Sequence, residues 1–162
     1  MTVYHGSTFI VEKLSVSKSK KYLDFGMGFY VTTFKQQAEK WAARKKLFSP
    51  KDSKSIVNVY ELGDLNNYKC LQFSDYDIEW LCFVSKCRRG EDIYKNYDII
   101  SGAVADDAVF KCVDMYFKGI WNEERTLQEL RFYKQTNQIC FVNQAALDSS
   151  LHFVSYYEVK NV

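Results

Sequence analysis

A single proline, Pro50, and only seven glycines leave little room in these 162 residues for long linkers or disordered stretches. Charge of one sign is also scarce. Twenty-two basic and twenty acidic side chains leave a net charge of +2, which gives no general argument for nucleic-acid binding. Lysines do gather locally, at Lys18, Lys20 and Lys21 and again from Arg44, Lys45 and Lys46 to Lys51 and Lys54. A solvated face accounts for both groups. Histidine is limited to His5 and His152, and no C-x-x-C occurs, so no metal site is expected. The five cysteines, Cys70, Cys82, Cys87, Cys112 and Cys140, are odd in number and lack paired spacing, which excludes a disulfide framework. Cys82, Cys112 and Cys140 sit in apolar surroundings and read as small core residues. The start MTVYHG lacks a basic segment followed by an apolar run, and no stretch is long enough to span a membrane. A cytoplasmic protein without a membrane partner is therefore expected.

Aromatic residues, in contrast, are abundant, at 17%. They suit a compact core with strand-rich surfaces, and a few of them suit a site that stacks flat rings. Strand patterns are expected at Thr2 to His5, Phe29 to Thr32, Ser55 to Leu62, Tyr68 to Phe73, Tyr97 to Ser101, Gln138 to Val142 and Leu151 to Val159. Helices are expected at about Phe34 to Leu47, Asp75 to Arg89, Asp106 to Lys118, Glu123 to Tyr133 and Gln144 to Ser149. Thr33 with Gln36 reads as a capping box, Ser74 as an N-cap, and Gly90 as a helix stop. Ser7 to Phe25 reads as a long loop with room for one helical turn. The elements do not alternate as βαβ units, and no G-x-G-x-x-G follows a strand. The expected fold is α+β in a single domain over residues 1–162.

Two segments bring chemistry-bearing residues together. In Tyr4-His5-Gly6-Ser7 a glycine ends a strand, and bare backbone there can grip a carboxamide. In Asp24-Phe25-Gly26-Met27-Gly28-Phe29-Tyr30 two glycines feed a strand bearing Tyr30, and Trp41 lies on the helix behind it. Spacing alone leaves two readings for Tyr30 and Trp41: core aromatics, or the two walls of a ring-sized slot.

YHGS, then GMGFYVTT, then AEKW with its tryptophan eleven residues after Tyr30, resembles the first half of an ADP-ribosyltransferase of the diphtheria-toxin and poly(ADP-ribose) polymerase type. With the well-studied enzymes the resemblance covers about the first fifty residues and the strand near Gln138. The sequence also looks like an uncharacterised bacterial branch of that superfamily, along nearly the whole chain, through its GAVADD and QICF segments. The resemblance implies a split, mostly antiparallel β-sheet core with flanking helices. It implies a mono-ADP-ribosyltransferase that takes NAD⁺ as substrate and cleaves its nicotinamide–ribose bond. His5, Gly6, Ser7, Tyr30 and Trp41 would bind NAD⁺. His5 would donate a hydrogen bond to the adenosine ribose, Gly6 would hold the carboxamide, and Tyr30 and Trp41 would sandwich the nicotinamide. His5, Tyr30 and Gln138 would form the catalytic set.

The family places an acid where this chain has Gln138, and alanine at position 38 matches diphtheria toxin. Asn122-Glu123-Glu124 is a rival source of the acid. Thr136 stands where arginine-targeting toxins carry Glu or Gln, so support for that acceptor class falls. Asp106 and Asp107 either complement a helix dipole or border the acceptor site. The acceptor is expected to be a macromolecule, protein or nucleic acid. By analogy a bacterial toxin role with an antitoxin or immunity partner is expected. The alternatives are a catalytically weak NAD⁺ or ADP-ribose-binding module, and a protein-interaction domain on the same fold. If Gln138 faces the nicotinamide ribose, Gln138→Glu is expected to speed nicotinamide release by about tenfold or more.

Overall fold

The computed structural model describes residues 1–160. Two sheets form the framework. Strands β1 (Thr2–Ser7), β3 (Ile56–Leu62) and β7 (Leu151–Glu158) make one, in the order β1-β3-β7, antiparallel throughout. Strands β2 (Phe29–Val31), β4 (Cys70–Gln72), β5 (Ile99–Ala103) and β6 (Asn137–Phe141) make the other, in the order β2-β6-β5-β4. Among the described residues only the β4–β5 pair is parallel. Among the described residues five α-helices flank them: α1 (Lys35–Leu47), α2 (Ile78–Arg88), α3 (Asp107–Phe117), α4 (Glu123–Leu130) and α5 (Gln144–Ser150). The protein is thus α+β with two mostly antiparallel sheets.

Alternation along the four-stranded sheet sorts its side chains into two cores. Ile100 and Cys140 face Trp80, Leu81 and Val84 of α2, Val109 and Val113 of α3, and Leu130 of α4. Ile99, Phe29, Val31, Ile139 and Phe141 face the other way, onto Val3 and Tyr60 of the three-stranded sheet. A third, small cluster of Ala38, Ala42 and Val57 lies beneath α1. The two sheets meet where Tyr4 and Thr32 exchange backbone hydrogen bonds, N to O at 2.8 and 2.9 Å. The long loop after β1 contains one 3₁₀ turn, Val16–Lys18. Buried Asn58 and Tyr60 hold the loop: Val11 N–H donates to Asn58 Oδ1 at 2.8 Å, and Tyr60 Oη donates to Val11 O at 2.6 Å.

Three local expectations are corrected. Thr33 does not cap α1, because its hydroxyl bonds the Asn137 side chain at the start of β6, and Phe34 takes the N-cap position. Helix α2 begins later than expected, since Asp77 rather than Ser74 caps it by accepting from Trp80 N–H at 2.8 Å. Cys82 is only half-buried, whereas Cys87 is fully enclosed. All five cysteines are free. Among the described residues no helix is long and apolar enough to cross a membrane.

Trp80 is completely buried and donates from Nε1 to Ala103 O at 3.1 Å, tying α2 to the end of β5. Trp80→Ala is expected to destabilise the protein by about 3–5 kcal/mol in urea unfolding, through the cavity and the orphaned carbonyl. A loss below about 1 kcal/mol would contradict this account of the core.

Candidate active site

Strand β1 supplies the first groups. Tyr4 turns its N–H and C=O away from β3 towards Thr32, so the antiparallel alternation puts those of Gly6 on the same edge. A Cβ on Gly6 would strike Ala38 O, and would lie 2.6 Å from Ala42 N and 2.9 Å from Trp41 Cβ. The close approach of α1, rather than of a ligand, therefore demands glycine here. What remains for a ligand is the peptide edge, where Gly6 O accepts from Lys45 Nζ at 2.7 Å. Burial lowers the pKa of this ammonium to about 8. Ser7, 3% exposed, has little hydroxyl surface to offer.

His5 lies on the other face of β1, stacked on Phe29 with centroids 4.6 Å apart. Its Nδ1 is 2.6 Å from Tyr30 O. A carbonyl only accepts, so Nδ1 carries the proton and Nε2 keeps its lone pair, 3.5 Å from Lys45 Nζ. Burial, and then the Lys45 charge, lower the His5 pKa to about 3 against the opposing effect of the Tyr30 carbonyl. Nε2 is thus an acceptor, with Lys45 Nζ at its edge. The expected donation from His5 would need the proton on Nε2, whereas the Tyr30 carbonyl holds it on Nδ1.

Tyr30, half-buried, donates its hydroxyl to Gly26 O at 2.6 Å and accepts from Phe25 N at 3.1 Å. Gly26 has φ +74, and a Cβ there would run into the Tyr94 ring. Burial, with Cys140 and Asp24 nearby, holds the Tyr30 pKa well above its usual value, so the phenol stays neutral. It can offer a ring face but no base. Trp41 is half-buried on α1 beside Gly6. Among the described residues neither ring is stacked on another aromatic.

Gln138 stands in β6 two residues from Cys140, the partner of Tyr30, so it shares the Tyr30 face of the sheet. It is 4% exposed, and its Nε2 donates to Asp24 Oδ2 at 2.8 Å and to Ala103 O at 3.3 Å. Asp24 is therefore in contact with Gln138, a neighbour that the expected gain from Gln138→Glu left out of account. Gln138→Glu would press two carboxylates together in a buried place. Asp24 was missed because its partners lie 64, 81 and 114 residues further along the chain.

The rival acid Glu124 is exposed, and its side-chain partner is Gln128 on its own helix. It lines a depression of about 560 Å³ on the outer face of α4, apart from His5, Tyr30 and Gln138. A second depression, of about 670 Å³, lies between residues 12–18 and α5. Asp106 caps α3 by accepting from Ala108 N and Val109 N. Asp107 pairs with Arg44 at 2.8 Å, which sets the start of α3 beside the helix that carries Trp41 and Lys45.

One α+β framework thus gathers a neutral histidine, a strand edge, two half-buried rings and a buried amide at the junction of its sheets. The chain belongs to the family described as a protein of unknown function, DUF3990, which it matches over residues 1–153. No curated protein matches it.

An unfolded His5 would titrate near 6.5 and the folded one near 3, so the unfolded state binds more protons between those values. Stability should fall as pH drops through that interval, and His5→Gln should flatten part of the fall. Ring-nitrogen NMR should show His5 as the Nδ1–H tautomer, without titration between about pH 5 and 8. A His5 midpoint near 6.5 would contradict the assignment.

Proposed function

We propose that the chain is a mono-ADP-ribosyltransferase of the diphtheria-toxin and poly(ADP-ribose) polymerase type, with the split-sheet fold of that superfamily and NAD⁺ as its substrate. The observation that carries this reading is the meeting of His5, Gly6, Tyr30, Trp41 and Gln138 from three strands and one helix. The Tyr4–Thr32 bridge and the His5–Tyr30 hydrogen bond draw His5, Gly6 and Tyr30 together, α1 lays Trp41 against Gly6, and Gln138 shares the Tyr30 face of the sheet.

Gly6 holds the carboxamide through its edge N–H and C=O. The carboxamide NH₂ replaces the Lys45 ammonium on Gly6 O, one donor for another. Tyr30 and Trp41 flank the nicotinamide, which is cationic before cleavage. Cation–π attraction adds about 0.5–2 kcal/mol and fades as the ring becomes neutral. The rings therefore serve binding and orientation more than the barrier. His5 Nε2 accepts a hydroxyl of the adenosine ribose. Gln138 Oε1 accepts a hydroxyl of the nicotinamide ribose as the oxocarbenium-like transition state develops. An amide takes up no proton, so Gln138 does not activate an acceptor as a general base. Slow single transfer to a macromolecular acceptor, protein or nucleic acid, follows rather than chain elongation. A toxin held by an antitoxin or immunity partner fits such an activity.

The neutral, inward-tied Gln138 also favours a second reading, an NAD⁺ or ADP-ribose-binding module without turnover.

NAD⁺ should raise the melting temperature by binding the native state, and Trp41→Ala should weaken binding by about 1 kcal/mol or more. Wild type should release nicotinamide slowly. Calorimetry that detects no NAD⁺ binding at millimolar ligand would overturn both readings, and binding without release would leave the module.

A further inference from the structure

Asp24 is 5% exposed, and four donors converge on its carboxylate. Oδ1 accepts from Arg88 Nε at 2.8 Å and from an Arg88 terminal nitrogen. Oδ2 accepts from Ala105 N–H at 2.9 Å and from Gln138 Nε2 at 2.8 Å. The Arg88 guanidinium is in turn stacked over the Phe110 ring at 4.1 Å. One carboxylate thus fastens α2, the segment between β5 and α3, and β6 to the loop that feeds β2. Its two oxygens have separate tasks: one faces the arginine, the other faces a backbone N–H and Gln138.

An amide side chain can turn over with almost no change of shape, so something must choose which end faces outward. Asp24 Oδ2 and Ala103 O both only accept, and both lie at the Gln138 nitrogen. The NH₂ must therefore face them, and Oε1 must face away. Gln138 Oε1 has no protein donor among the described residues and is not a sealed, buried orphan. Donation to a carboxylate also polarises the amide and strengthens its oxygen as an acceptor.

Resting on the NAD⁺ reading above, we infer that Asp24 is a positioning residue for Gln138, aiming Oε1 at the nicotinamide ribose and standing its own charge one side chain behind it. The neutral residue at 138 then has a reason. With Asp24 fixed by three other donors, a glutamate at 138 would set two buried carboxylates in contact, and both could not stay charged without a large penalty. The chain keeps a negative charge near the reacting sugar and moves it back from the strand that carries it in the ADP-ribosyltransferases it resembles. Burial chiefly, then the nearby Cys140 and Asp24, raise the Tyr30 pKa, which fits an Asp24 charge close to this site.

The test is nicotinamide release at varied NAD⁺, with melting temperatures, for wild type, Asp24→Asn, Gln138→Glu and the double variant Asp24→Asn/Gln138→Glu. Asp24→Asn should lower kcat by about tenfold or more with KM little changed. Gln138→Glu alone should lower the melting temperature and bring no gain in rate. The double variant exchanges amide and acid, so one still donates to the other. It should recover melting temperature over Gln138→Glu and exceed the kcat of Asp24→Asn by about tenfold or more. A merely structural Asp24 would move melting temperature without this split between kcat and KM. Wild-type kcat in Asp24→Asn, or a double variant no faster than both singles, overturns the assignment of Asp24 and leaves the NAD⁺ reading intact. If Asp24→Asn does not fold, the double variant against Gln138→Glu decides alone. A wild type that neither binds NAD⁺ nor releases nicotinamide overturns the parent reading and this one with it.

Discussion

The candidate site depends on one pair of backbone hydrogen bonds. Tyr4 and Thr32 exchange N–H and C=O across the seam between the sheets, and that exchange fixes which way each neighbouring residue points. Gly6, two residues on, must present its peptide edge on the same side as Tyr4. His5, between them, must turn its ring to the opposite face, where Phe29 supports it and Tyr30 O takes its Nδ1 proton. Tyr30, two residues before Thr32, is held at the β2–β6 pair that also carries Gln138. A register slip of one residue at this seam would reverse every one of these directions.

Around that seam the charges are arranged so that the side chains of the site remain uncharged. Burial and Lys45 keep His5 neutral, and burial keeps Tyr30 protonated. Gln138 has no charge to lose. The full charges stand behind or beside these groups: Asp24 against Arg88 beneath β6, Lys45 on the Gly6 carbonyl, and Arg44 against Asp107 at the rim. Such a site can bind a cationic ring by its faces and sugar hydroxyls by lone pairs. It has little means of moving protons, which suits the slow single transfer proposed for it better than rapid turnover.

Local pattern made much of the fold legible. The β-branched and aromatic run from Ser55 to Leu62 marks β3, and Phe34, Ala38, Trp41 and Ala42 recur at helical spacing along α1, because a strand or helix is set by residues near in sequence. The candidate residues were legible for the same reason, each lying in a short segment with its own signature. What was not legible depends on distant partners. Thr33 looks like a helix cap until Asn137, 104 residues away, takes its hydroxyl. Gly6 looks like a ligand-facing glycine until α1 is laid across it. Asp24 looks like a loop acid until Arg88, Ala105 and Gln138 close around it. Neither Lys45 nor the tautomer of His5 could be read before strand and helix were placed together.

The central claim is that the sheet junction is where NAD⁺ sits. Amide and indole NMR shifts of the labelled protein, followed as NAD⁺ is added, test it most directly. The account predicts that the Gly6 amide and the Trp41 indole N–H move first and furthest, with Gln138 moving alongside them. Shifts centred on the α4 depression at Glu124 and Gln128, with Gly6 and Trp41 unmoved, would contradict it.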